Sequence, residues 1–249
     1  MMRWPRFMAR LVAVLVWLLL GLLSVIVIFP LTGQTARVAM VRHWSRLLIR
    51  CFGVTVNVRG EAVLDGSVLT VANHVSWIDI FVLNSVRATC FIAKHEIRRW
   101  PLLGRLVAGA GTLFIERDQR HAVRAVTQEM HRRFDQGDAV GLFPESTTSA
   151  GWEPLPFHSS LFAPVCARSV AVQPVALRFM HNGKRSDYAA FVGEESLLAN
   201  ACRVLMTVGL TVEAIYLAPL SLCDTNGQPH ARQRIARAAQ TAITQALVA

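Results

Sequence analysis

Charge is scarce in this chain. Only 17% of its 249 residues are charged and 53% are hydrophobic, whereas soluble domains run near a quarter charged. A disordered chain needs the opposite balance and is excluded. Carboxylates are absent from residues 1–60, which nonetheless hold eight arginines; the first acid is Glu61. Of the formal net charge of +10, this arm therefore carries +8 and residues 61–249 only +2. A nucleic-acid groove would place the excess on the folded domain, so that class is disfavoured. The five cysteines (51, 90, 166, 202 and 223) are odd in number, and no two are separated by two to four residues. That spacing excludes a zinc ribbon and a disulfide framework. It fits small core residues on the reducing, cytoplasmic side of a membrane. No G-x-S-x-G elbow is present, which argues against a serine hydrolase.

What the arm has instead is apolar length. Residues 11–29 run for 19 positions without a charge, with Arg3, Arg6 and Arg10 before them and Pro30 and Gly33 after. As a helix this run is roughly 28 Å long, close to the hydrocarbon thickness of a bilayer. A cleavable leader is disfavoured by that length and by the lack of a small-x-small site before Thr35–Ala36. Residues 34–52 form an amphipathic pattern, with Arg42, Arg46 and Arg50 on one stripe and Val41, Trp44, Leu48 and Cys51 on another. Such a helix either lies in the membrane interface or packs on the domain. Three arginines precede the apolar run and four follow it, so the flanks nearly tie. A re-entrant hairpin and a single tilted span both remain open. The expected division is a membrane anchor over 1–52 and a catalytic domain over 53–249.

From residue 53 onward, β-branched runs at 54–58, 67–72, 88–93, 112–116, 139–143, 171–177, 188–192 and 211–217 read as strands. Helical patterns lie near 77–85, 97–108, 119–135, 159–168, 195–208 and 229–247. Continuous apolar strands alternating with helices predict an α/β domain: a mixed, mostly parallel sheet covered on both faces. No internal repeat or low-complexity linker interrupts it.

Three segments carry chemistry. Asn73-His74-Val75-Ser76-Trp77-Ile78-Asp79 follows an apolar strand, where catalytic groups of open α/β sheets gather. A carboxylate at Asp79 reaching one nitrogen of His74 would fix its tautomer and leave the other as a general base. The same spacing also suits a helix-capping loop with a solvated histidine. Phe143-Pro144-Glu145-Ser146-Thr147-Thr148 places a carboxylate and three hydroxyls on a second loop, either for a polar headgroup or as a simple cap. Gly111-Thr112-Leu113-Phe114-Ile115-Glu116-Arg117 ends a strand on an arginine suited to phosphate or to solvent.

In this order, and with Val172-Gln173-Pro174-Val175-Ala176-Leu177 as a fourth block, the segments resemble the glycerolipid acyltransferase family over residues 53–220. The resemblance implies the glycerol-3-phosphate acyltransferase type of fold. It implies acyl transfer from acyl-CoA or acyl-carrier protein to a lysolipid hydroxyl, with His74 as general base and Asp79 orienting it. No acyl-enzyme, metal or cofactor is implied, the thioester being a co-substrate. Asn73, Ser76, Lys94, Arg117, Glu145, Ser146, Thr147 and Thr148 would contact or frame the substrate, and amides near the fourth block would hold the oxyanion. The implied partners are membrane lipids, a lysophospholipid and the thioester donor, at a bacterial inner membrane with the catalytic domain on the cytoplasmic face. The implied acceptor is 1-acylglycerol-3-phosphate. Two departures strain this: the family pattern Phe-Pro-Glu-Gly-Thr-Arg is here broken by Ser146 and Thr148. Threonine cannot supply a bidentate phosphate contact, which brings in another lysolipid, such as lyso-ornithine lipid, as the alternative; a non-catalytic membrane lipid-binding protein is the further alternative.

Overall fold

A computed structural model describes residues 3–94, 98, 103–109, 111–115, 120–166, 170–222 and 230–249. Eight strands form one sheet: β1 (Val54–Arg59), β2 (Val68–Ala72), β3 (Thr89–Lys94), β4 (Leu113–Ile115), β5 (Ala139–Leu142), β6 (Ala171–His181), β7 (Lys184–Arg185) and β8 (Leu210–Tyr216). Their order is β1-β8-β6-β2-β5-β3-β4, with β7 beside β6. Every pairing is parallel except β6 with β7 and with β8. The expected mixed, mostly parallel sheet is therefore present. β2 and β5 lie at its centre and are buried throughout, which is why their sequences are apolar without alternation.

Helices cover both faces. On one side lie α1 (Arg3–Leu23), α2 (Gln34–Cys51), α3 (Ile78–Val86) and α7 (Leu197–Met206). Their Val14, Leu48, Ile78, Val82 and Val204 share a core with Ala72, Phe91 and Val175. On the other side are α5 (Arg120–Asp135), the short α6 (Ala163–Cys166) with its preceding 3₁₀ turn Ser159–Phe162, and α8 (Arg232–Val248). There Met130, Phe162, Val165, Ile235 and Ile243 pack on Leu69, Val71 and Val140. α4 (Leu103–Gly109) precedes β4.

One expected strand is absent and one further strand is present. The run 188–192 is not a strand. Ala189 and Ala190 are buried, and Phe191 N donates to Val75 O, so the segment lies over the loop after β2 instead of joining the sheet. The edge beside β6 is taken by β7, returned by a tight turn at Asn182–Gly183 where both residues have positive φ (51° and 77°). Asn-Gly is the dipeptide that such hairpins favour.

The arm is also more firmly attached than a tether. α1 continues through a π turn (Ser24–Ile28) and a 3₁₀ turn (Phe29–Leu31), giving an unbroken apolar helix from Trp4 to Leu31. At 28 residues it is about 42 Å long, enough to cross a membrane. It starts earlier than the apolar run because its flanking arginines are good helix formers. Its return helix α2 is locked to it by reciprocal bonds: Trp17 Nε1 donates to Trp44 O (2.9 Å) and Trp44 Nε1 to Trp17 O (3.1 Å). Arg10 donates to Leu205 O (3.0 Å) and to Thr207 O at the end of α7, while Phe7 and Val14 enter the core. α2 turns Leu48 and Ile49 into that core and leaves Arg42, Arg46 and Arg50 exposed. Packing thus runs unbroken across the expected boundary at residue 52.

Candidate active site

β2 ends at Ala72, and the chain turns at once into α3. Asn73 makes the turn possible: its Nδ2 donates to Leu177 O (3.0 Å) and its Oδ1 accepts from Leu177 N (2.8 Å). The side chain thereby prolongs the β2–β6 ladder by one residue after the backbone has left it. Asn73 was expected at the substrate; it is wholly buried and acts inside the protein, because both of its polar atoms are taken by β6. Ser76 is equally buried. Its N–H donates to Asp79 and its O accepts the Asp79 N–H, so it forms the first turn leading into α3 instead of facing a ligand.

Asp79, in the first turn of α3 and fully buried, gathers three donors on Oδ2. They are His74 Nδ1 (2.8 Å), Val75 N (2.7 Å) and Ser76 N (2.9 Å). An oxygen that already accepts from two backbone amides acts as an acceptor toward the imidazole as well. His74 Nδ1 must then carry the proton that faces Asp79, which leaves Nε2 as the basic nitrogen. Nε2 has no hydrogen-bond partner among the described residues, and the side chain is 19% exposed. The pair is poised to take a proton from outside.

His74 is held from every other side. Its N–H donates to Glu145 Oε1 (2.7 Å), and its carbonyl accepts from Ser149 N (2.8 Å) and Ser149 Oγ (3.3 Å). Its ring stacks on Phe143, with centroids 4.0 Å apart and planes 13° from parallel; Phe143 in turn stacks on Phe91 at 5.4 Å and 10°. Room for this column comes from Gly141, where a Cβ would lie 2.3 Å from the Phe91 ring. Composition and motif spacing give no sign of Ser149 or Phe91, and mark Phe143 only as the start of the second motif, because the partners of all three are distant in sequence.

The second loop follows β5, beside β2, so the topology brings it to the same sheet edge as His74. Glu145 was expected at the headgroup. Here its second oxygen, Oε2, accepts from Leu155 N (2.8 Å), so both oxygens are engaged by backbone and the carboxylate joins three loops. Burial pushes its pKa up, opposed by the donors from Leu155 and His74. Ser146 has φ of 60°, in the left-handed region, which explains physically why glycine suits this position. Thr147 is exposed, whereas Thr148 Oγ1 donates to Phe191 O and ties the loop to the 188–191 segment. Lys94 closes β3 at the same edge; Arg117 lies outside the described residues. The fourth block sits within β6, between β2 and β8, with Leu177 N taken by Asn73. Its amides serve the sheet and not the expected oxyanion. Among the described residues no group of His, Cys, Asp and Glu is arranged to hold a metal.

A buried carboxylate, an oriented imidazole with one open nitrogen and a rigid loop can abstract a proton from a hydroxyl. Comparison with known proteins gives that chemistry a setting. The acyltransferase family model matches residues 55–178, a range containing all four sequence blocks. A lyso-ornithine lipid O-acyltransferase of Pseudomonas aeruginosa is 36% identical over 211 residues, 85% of this chain and 79% of that protein. A 1-acyl-sn-glycerol-3-phosphate acyltransferase of Neisseria gonorrhoeae is 42% identical over 120 residues, 48% of this chain and 47% of that protein. The crystal structure of a 1-acyl-sn-glycerophosphate acyltransferase from Thermotoga maritima shares the fold, with a TM-score of 0.67 at 17% identity over 98% of this chain and 96% of that one. Likeness of this extent, reaching most of a relative's length, decides the assignment: the chain is an O-acyltransferase and belongs to the glycerolipid acyltransferase family.

Proposed function

We propose that this enzyme moves a fatty acyl group from acyl-CoA or acyl-carrier protein to the free hydroxyl of a lysolipid at a membrane surface. The observation that carries the mechanism is the His74–Asp79 bond of 2.8 Å with Nε2 left open. Nε2 takes the hydroxyl proton as the oxygen attacks the thioester carbonyl. Asp79 stabilises the imidazolium that results. The tetrahedral intermediate collapses, the C–S bond breaks, and the departing sulfur receives the proton back from His74. Both substrates' atoms are then accounted for without an acyl-enzyme, and no cofactor enters.

For the acceptor, we favour lyso-ornithine lipid. Relatives of that name match this chain over most of its length, including one from Rhizobium meliloti at 35% identity over 69% of the chain. Thr148 also supplies no charge for a phosphate and is engaged with Phe191 O. 1-Acylglycerol-3-phosphate is the second reading, supported by the 42% identity to the Neisseria protein.

Membrane attachment is read from the helix Trp4–Leu31, whose apolar window has mean hydropathy 3.1. Its outer side exposes Val12, Leu15, Val16, Leu19, Leu23, Val27 and Leu31. A span must carry its helix away from the water-facing domain, but Phe7, Arg10 and Val14 are packed on that domain. We therefore read α1 and α2 as a hairpin dipping into one leaflet. A bacterial inner membrane, with the catalytic domain on the cytoplasmic face, fits the free cysteines among the described residues.

An acceptor panel tests the proposal. The protein in vesicles receives one acyl-CoA and, in turn, lyso-ornithine lipid, 1-acylglycerol-3-phosphate and other lysolipids. Product from lyso-ornithine lipid should dominate, and His74→Ala should lower it by about 10²- to 10⁴-fold. A covalent acyl-protein in wild type, or near-wild-type turnover by His74→Ala, refutes the mechanism. Preference for 1-acylglycerol-3-phosphate refutes the acceptor alone.

A further inference from the structure

Away from His74, α1, the β6–β7 turn and α7 enclose a cavity of about 570 Å³. Arg6, His181, Asn182, Tyr188, Arg203 and Thr207 are among the residues lining it, and none of the residues placed at the catalytic loop is. Two of its side chains share one aromatic ring. His181 stacks on Tyr188 with centroids 5.1 Å apart, and the Arg203 guanidinium lies 5.7 Å from the same ring. Glu195 offsets part of the charge through Arg203 Nη2 (2.8 Å), which also donates to Ala190 O (3.0 Å). The Arg203 side chain is still 35% exposed, and Arg6 has no carboxylate partner among the described residues.

We propose that this cavity binds the phosphate of an anionic membrane phospholipid. Two guanidiniums match phosphate oxygens in charge and in hydrogen-bond sense, while Asn182 Nδ2 and His181 Nε2 face each other at 3.2 Å on the wall beside them. The lipid source is indicated by Arg6, which rises from the same helix as exposed Trp4 and Met8. A headgroup in the cavity would leave its acyl chains along that apolar side. The cavity wall also meets the catalytic loop, since Arg203 holds Ala190 O and the next residue, Phe191, donates to Val75 O (2.9 Å). The inference rests on the membrane reading above.

The test is flotation of the full-length protein with phosphatidylcholine vesicles, with and without added phosphatidylglycerol. Arg6→Gln and Arg203→Gln are compared with Arg42→Gln, which removes the same charge from an exposed position of α2. A charge near an anionic surface is worth about fivefold in binding, whereas a direct charge-assisted contact is worth about tenfold or more. The phosphatidylglycerol-dependent affinity should fall by at least about tenfold for the two cavity variants and by no more than about fivefold for Arg42→Gln. Equal losses in all three overturn the site in favour of diffuse attraction. Displacement of wild type from anionic vesicles by CoA, lost in Arg6→Gln, overturns the lipid assignment and gives the cavity to a soluble phosphate ester. If Arg203→Gln melts early for want of its bond to Ala190, Arg6→Gln alone decides. Failure of wild type to bind any vesicle sinks the membrane reading itself, a result separate from the others.

Discussion

Asp79→Asn isolates charge from geometry at the His74–Asp79 pair. The amide oxygen can stay where Oδ2 now accepts three hydrogen bonds, so the turn after β2 keeps its donors' partner. What disappears is a negative charge 2.8 Å from the imidazole. Coulomb's law at that distance gives roughly 1.5 kcal/mol in a water-like medium and roughly 6 kcal/mol at an effective dielectric of 20. His74 is partly exposed, which places the loss of imidazolium stabilisation in the lower half of that range, about 10- to 10³-fold in rate. The new NH₂ would occupy the place of Oδ1, a buried atom with no hydrogen-bond partner. An unsatisfied donor there costs about 1–3 kcal/mol, offset in part by relief of a buried charge. The assay follows thiol release from acyl-CoA under saturating acceptor, alongside thermal melting. Turnover should fall by one to three decades while the melting temperature moves by less than roughly 8 °C. Turnover within threefold of wild type would refute the imidazolium argument. Collapse of the fold would instead show that the carboxylate is chiefly structural.

Three other outcomes follow from the surroundings of His74. Gly141→Ala drives a methyl into Phe91, so the aromatic column beneath the imidazole must shift; we expect about 1–3 kcal/mol less stability in urea and lower kcat, and unchanged kcat would detach the column from catalysis. Ser146→Gly removes a left-handed cost of about 1–2 kcal/mol but loosens the unfolded chain by roughly 0.5–1 kcal/mol, so its melting temperature should stay level or rise slightly, while Ser146→Val should lower it. Glu145 has its pKa raised by burial, so the folded protein holds that proton more tightly than the unfolded chain. Its contribution is present below the ordinary value of 4.5 and is lost as pH rises through the shifted value. Relative to Glu145→Gln, wild type should therefore be most stable in acid and lose ground as pH rises; a difference independent of pH contradicts the assignment.

The central sheet was legible because β2, β5 and β6 are buried on both faces and must be written in apolar residues. His74 and Asp79 were legible because the helix that follows β2 brings a residue five positions on back beside the turn. Their surroundings were not. Glu145 was visible as a carboxylate on a neighbouring loop, yet its engagement by His74 N and Leu155 N depends on how three loops meet. The run 188–192 has the composition of a strand, but Phe191 spends its amide on Val75 instead of on the sheet. Asn182–Gly183 did carry a readable turn signal, which the apolar run after it obscured. The arginine stripe on α2 was plain in the spacing. Its apolar face allowed either the membrane interface or the domain, and spacing alone could not show that Leu48 and Ile49 enter the same core as Ile78 and Leu83.

The union of α1 with the domain bears on how the protein can be handled. Deleting residues 1–33 looks like a route to a soluble catalytic fragment, but it would strip Phe7 and Val14 from the core, leave the last carbonyls of α7 without Arg10, and bare the Trp44 indole. Such a fragment would have raw apolar surface where a helix used to be. Preparations that keep that surface covered need α1, whose own outer side exposes Leu15, Leu19 and Leu23. A purification tag belongs accordingly at the opposite terminus, where Val248 and Ala249 are exposed at the end of α8.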